Sequence, residues 1–225
     1  MKRIVAAIVI VLVLSTASLV SPVAAQSKPS APDGYVLVEE DVILTFADEP
    51  RKSFRSAVSA FLNRKFYEAA TEIREGAAFM KLEAERATAD AKKALDDSAA
   101  DLRKLADDVQ KGAVGDLKDL QSGFARAEHA LVRHHYLKAV ELRAKNETQK
   151  AGRELQAAAD YVDSGQVWLT KKMHKGAQDI VNEARRVAGK MVAGAGASAE
   201  DIGKAFDNLG KELDRAAAAS TPPKM

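Results

Sequence analysis

The chain has 225 residues, of which 47% are hydrophobic, 29% charged and 5% aromatic, with 13 Gly, 6 Pro and no Cys. Alanine accounts for 43 positions; it is the strongest helix former, and with so little Gly and Pro this composition predicts an all-α protein rather than a loop-rich β fold. The absence of Cys excludes disulfides, thiolate zinc sites, cysteine nucleophiles and c-type haem attachment. The formal charge of +2 comes from Lys2 and Arg3, and beyond residue 25 basic and acidic side chains balance at 32 each. Without a basic excess or patch, nucleic acid is not an expected partner.

Residues 1–25 read as a signal peptide: a charged start, an apolar run from Ile4 to Leu14, and small residues ending in Val23-Ala24-Ala25. Cleavage is expected before Gln26. The run is diluted by Ser15, Thr16 and Ser18 and closed by Pro22, which disfavours an uncleaved anchor of about 20 apolar residues. The chain is therefore expected in the periplasm. Residues 26–47 form a linker and an extended segment, with a short extended or hairpin stretch at 35–46 (YVLVEEDVILTF).

The pattern is helical from residue 48 onward. Asp48, Glu49 and Pro50 open a first helix running to about Arg64. From Phe66, apolar or small residues recur every three or four positions from Ile73 through Met80 and Leu102 to Val109. That spacing predicts one amphipathic helix of about 45 residues ending at Gly112, with Thr88 a place where it bends or splits. A third helix follows from about Val114 to Lys145. A fourth starts after Asn146 and ends at Gly194-Ala195-Gly196, with Gly165 its weak point. The helical bundle thus spans 48–196. Ser198 to Asp201 resembles a capping box that opens a C-terminal amphipathic helix at 197–219, and residues 220–225 are a disordered tail. The expected architecture is an elongated antiparallel bundle.

The chain also repeats itself at an offset of 82 residues: Phe54, Ala69, Glu72, Ile73 and Phe79 match Tyr136, Ala151, Glu154, Leu155 and Tyr161. Each copy holds a helix, a tight polar turn (Asn63-Arg64-Lys65; Lys145-Asn146-Glu147) and a second helix, so two related helix-turn-helix hairpins build the bundle. The run Asn63 to Ala69, followed by Gly76-Ala77-Ala78, resembles the turn and second helix of a tetratricopeptide hairpin, although the period differs from that of a tandem array. With its leader and two such hairpins, the chain resembles the YfdX family of exported helical bacterial proteins. That resemblance implies an all-helical, non-enzymatic, stress-related protein and carries over no site residues.

The densest chemistry lies at Glu128-His129 and His134-His135. Imidazole is a common metal ligand. The spacing is poor for one helix, since His129 and His134 are five apart and the adjacent pair diverges by about 100°. Ligands from a neighbouring helix are needed. Folding 66–111 as one helix against the next places His129 level with Asp97 and Asp101, and His134 and His135 level with Lys92 and Lys93. His129, His134, His135, Asp97 and Asp101 are therefore the candidate metal residues, for a divalent ion or haem, while His174 falls too far along the axis to join them. Asp96-Asp97 and Asp107-Asp108 read as solvated ion pairs rather than acid–base dyads. No glycine-rich phosphate loop, nucleophile elbow or HExxH motif is present, so no enzyme is expected. The leading expectation is a periplasmic interaction or stress-protective protein that binds a protein partner or itself; peripheral membrane contact through 199–216 is a further one.

Overall fold

The structure, a computed structural model, describes residues 49–168 and 175–220. The expected leader, the linker with its 35–46 stretch, His174 and the last five residues lie outside the described residues. Those described form seven helices and no strand: α1 (Glu49–Leu62), α2 (Phe66–Arg86), α3 (Ala89–Gln110), α4 (Leu117–Ala144), α5 (Thr148–Val167), α6 (Lys175–Ala193) and α7 (Ala199–Ser220). The all-α helical bundle is as the composition requires.

Local chemistry sets the boundaries. Pro50 sits in the first turn of α1, where its missing N–H costs nothing. The Asp116 carboxylate accepts a hydrogen bond from the Lys118 N–H at 2.9 Å and starts α4. Ser198 Oγ accepts from the Asp201 N–H at 3.0 Å, as the capping pattern predicts, and starts α7.

The expected helix of about 45 residues does not exist. Ala87 and Thr88 both adopt extended backbone (ψ 153° and 156°), and the chain folds back so that α2 and α3 lie antiparallel. Lys81 pairs with Asp96 at 2.6 Å and Arg74 with Asp107 at 2.7 Å across that hairpin. The apolar stripe runs through the break without a change of phase because Ala84, Ala87 and Ala91 carry it there. Alanine suits a helix and a turn flank equally, so periodicity alone does not mark the reversal. The fourth predicted helix is likewise two elements, α5 and α6, which pack side by side.

Each helix packs on the next in sequence, and α4 additionally touches α1, α2 and α7. Its position at the centre buries both of its flanks. Leu120, Phe124, Ala127 and Leu131 are buried there, as are Glu128, His134 and His135.

The duplication extends further than the sequence shows. Arg64 and Asn146, 82 residues apart, both have positive φ (58° and 60°). The hydrogen bonds Arg64 N–H to Phe61 O and Lys65 N–H to Ala60 O recur as Asn146 to Arg143 and Glu147 to Leu142. These bonds define a left-handed helix stop in which two carbonyls of the last turn are satisfied. A second pair of stops lies at the same offset: Gly112 to Val109 with Ala113 to Asp108, and Gly194 to Met191 with Ala195 to Lys190. Both glycines have positive φ, 69° and 64°. The aromatic contact of Phe54 with Phe124 (centroids 4.4 Å apart) recurs as Tyr136 with Phe206 (6.2 Å). So α1, α2, α3 and the start of α4 correspond to the end of α4, α5, α6 and α7. Helix α4 closes the first copy and opens the second.

Candidate metal centre

The buried polar residues of α4 meet two neighbouring helices. Glu83 and Arg86 come from the last turn of α2, His134 and His135 from α4, and Glu154 from α5. Glu83, His134, His135 and Glu154 are each at most 1% exposed, and the Arg86 side chain is 10% exposed.

One donor atom from each of Glu83, His134 and His135 lies within 4.8 Å of the other two. His135 Nδ1 sits 2.6 Å from Glu154 Oε2. Because an ionised carboxylate can only accept, this contact places a proton on Nδ1, so Nε2 is the ring nitrogen open to a further partner. His135 Nε2 and His134 Nδ1 are buried with no hydrogen-bond partner. His134 Nε2 is 2.9 Å from Glu83 Oε2 but without the alignment of a hydrogen bond. Arg86 closes the group, with Nε 2.7 Å from Glu83 Oε2 and Nη2 2.9 Å from Glu154 Oε1. The His135 ring stacks on Tyr161 (5.2 Å, 9°), whose other neighbours include the Arg51 guanidinium at 5.1 Å from the ring centroid.

The electrostatics set the protonation that ligation needs. Burial pushes the Glu83 carboxyl up, but His134, His135 and Arg86 outweigh it and hold it at about 2. Burial acts in the same sense on Glu154, and His135 and Arg86 again outweigh it, leaving it below the usual carboxylate range. Burial pushes the His134 imidazole down and Glu83 opposes without reversing this, so the ring is neutral at pH 7. Two carboxylates stay charged while a neutral imidazole stands beside them. Tetrahedral coordination at about 2.0–2.2 Å separates donor atoms by roughly 3.4 Å, so donors spread over up to 4.8 Å would have to draw together to share one ion.

Glu128 serves a different place. It accepts from Trp168 Nε1 at 2.8 Å and from Ser164 Oγ, and Trp168 packs edge-on against Phe54 and Phe124. Burial raises its carboxyl above the ordinary value against the pull of those two donors and of Arg51 and Arg55. Trp168 is thus a core residue, with a carboxylate for its N–H.

The structure brings together two of the five sequence candidates, His134 and His135. It separates the other three from them. His129 is half-buried beside Arg133, Asp97 is exposed and paired with Lys93 at 2.5 Å, and Asp101 is exposed and 4.0 Å from Arg126. The pairing of Asp101 with Arg126 matches the expected level of α3 against α4. The error lay in the helix assignment. Once the chain reverses at Thr88, Glu83 comes to the level of Lys92, as the 3.2 Å contact of Lys92 Nζ with Ala84 O shows. That level is the one already expected for His134 and His135. The break at Thr88 is the sequence signal that leads to Glu83 and Arg86, and the Asn146 turn is the one that brings Glu154 within reach of His135. A porphyrin needs an open slot beside an imidazole, whereas both rings are fully buried and His135 is stacked on Tyr161, so the geometry favours a bare ion over haem. No protein-family model, curated protein or solved structure matches the chain.

Proposed function

We propose that this protein is a non-enzymatic binding protein for a divalent transition-metal ion, held inside the helical bundle by Glu83, His134 and His135. The observation that carries this reading is the convergence of three buried donor side chains, with three imidazole nitrogens among them that have no hydrogen-bond partner. Unpaired polar atoms in a core are costly, and a metal ion satisfies them. Two imidazoles with one carboxylate suit zinc and the neighbouring first-row ions, not calcium or magnesium, which take all-oxygen shells. Glu154 is a positioning residue that fixes the tautomer of His135, the usual place for an outer carboxylate around a metal-bound imidazole. The ligands are all buried, which suits sequestration or a structural ion rather than turnover. With the export leader read from the sequence, the compartment is the periplasm and the role one of metal buffering or protection.

The apolar face of α7 does not need a membrane in this reading. Ala205, Phe206, Leu209 and Leu213 are buried, with Phe206 packed on Tyr136 of α4, and among the described residues no helix is long and apolar enough to cross a bilayer.

The test is zinc titration of the chain from Gln26 onward by calorimetry, after dialysis against chelator. One ion per chain is expected to bind, and the double variant H134A/H135A to lose binding by at least 100-fold while keeping its helical circular dichroism. D97N/D101N is expected to bind as the parent does. Retention of tight binding by the histidine variant contradicts the proposal.

A further inference from the structure

The residues of the site do not come from one copy of the duplication. Glu83 and Arg86 belong to the first copy; His134, His135 and Glu154 belong to the second. Nor is the site repeated. The positions 82 residues from Glu83 and Arg86 hold Gly165 and Trp168, and those matching His134 and His135 hold Lys52 and Ser53. The arrangement exists once, where the end of α2 meets α4 and α5.

The contacts that join the copies at this point are polar. Arg86 of the first copy reaches Glu154 of the second at 2.9 Å, and Lys138 Nζ of the second donates to Arg86 O of the first at 3.3 Å. Beside them, Arg51 of the first copy lies over Tyr161 of the second. When a polar junction of this kind parts, water can take over its hydrogen bonds, so what holds it closed depends on the further contacts made across it.

We propose that the ion is a clasp between the two copies: it joins Glu83 of the first to His134 and His135 of the second, and thereby suppresses the opening of the α2 end away from α4 and α5. This rests on the metal-binding reading above and adds to it a consequence for motion. Any opening that separates Glu83 from the histidines breaks the site, so at an ion concentration of 100 times the dissociation constant its population falls by about 100-fold.

Hydrogen exchange of the full mature chain, with zinc at that excess or with chelator, tests the proposal. Zinc is expected to slow the amides at the end of α2 (77–86) and those of α5 (148–160) together, by about 100-fold. In E83Q the protection of α2 is expected to disappear while the histidine-bearing helix retains part of its own. Protection confined to α4 and α5 in the parent overturns the clasp but leaves zinc binding intact. If zinc binds nowhere in the chain, the metal-binding reading falls and the clasp with it.

Discussion

His134 and His135 diverge by about 100° on α4, yet their rings end with centroids 4.8 Å apart. The divergence matters only when one flank of the helix faces solvent. Here α2 and α5 cover both flanks, so both side chains point inward and meet carboxylates. The histidines were legible in the sequence as a cluster; their partners were not, because Glu83 and Glu154 look like any other charged residue on an amphipathic helix. At the same scale, Glu128 offers a separable test. Its raised carboxyl prefers to be neutral in the folded state, so it contributes stability that is fully present below the unfolded value near 4.5 and is lost as pH rises through the folded one. E128Q keeps an acceptor for Trp168 and supplies a donor toward Ser164. Urea denaturation at pH 7 is expected to show E128Q more stable than the parent, with the advantage gone near pH 4. A less stable E128Q at pH 7 contradicts this account of the group.

Helices α2 and α3 show how much an alanine stripe conceals. The spacing gave the helical state of every residue from 66 to 110 apart from Ala87 and Thr88, and it gave which face is buried, but not the reversal between them. The turns at Asn63-Arg64-Lys65, Gly112 and Asn146 carry a stronger local signal, because each contains a left-handed residue. Close packing of α1 on α2 depends on one small residue. A Cβ built on Gly76 would lie 2.4 Å from Phe54 Cε1, and the Phe54 ring is itself stacked on Phe124. G76A gains helix propensity of up to about 1 kcal/mol, but the ring must move, which costs typically 1–3 kcal/mol in a packed core. Thermal denaturation is expected to show a net loss for G76A. A gain would mean that the ring shifts without strain.

At the scale of the whole molecule, the fold is a tandem duplication read through α4, and the site is the place where the two copies do not repeat one another. The sequence revealed the first two helices of each copy through their paired aromatics and turns. The remaining correspondence, α3 with α6 and the start of α4 with α7, became legible only from the repeated helix stops, since alanine-rich segments align with one another at many offsets. The site also shapes the response of the ion-free protein to acid. Glu83 and Glu154 are held below their usual values, so the stability they contribute is present above about pH 4.5 and lost as pH falls toward 2. The lowered His134 acts in the same direction over a higher range, full above its ordinary value near 6.5 and lost below it. In the E128Q background, which removes the opposite contribution of Glu128, denaturant midpoints measured in chelator are expected to fall from pH 7 toward pH 3, and H134F to flatten the upper part of that decline. A rise in the stability of E128Q on acidification contradicts the assignment.

The most direct test of the central claim is X-ray absorption at the zinc edge on the zinc-loaded chain. Coordination by Glu83, His134 and His135 predicts two imidazole nitrogens at about 2.0–2.1 Å with oxygen completing a shell of low coordination number, and loss of the imidazole scattering in H134A/H135A. An all-oxygen shell, as an ion on exposed carboxylates such as Asp97 and Asp101 would give, contradicts it.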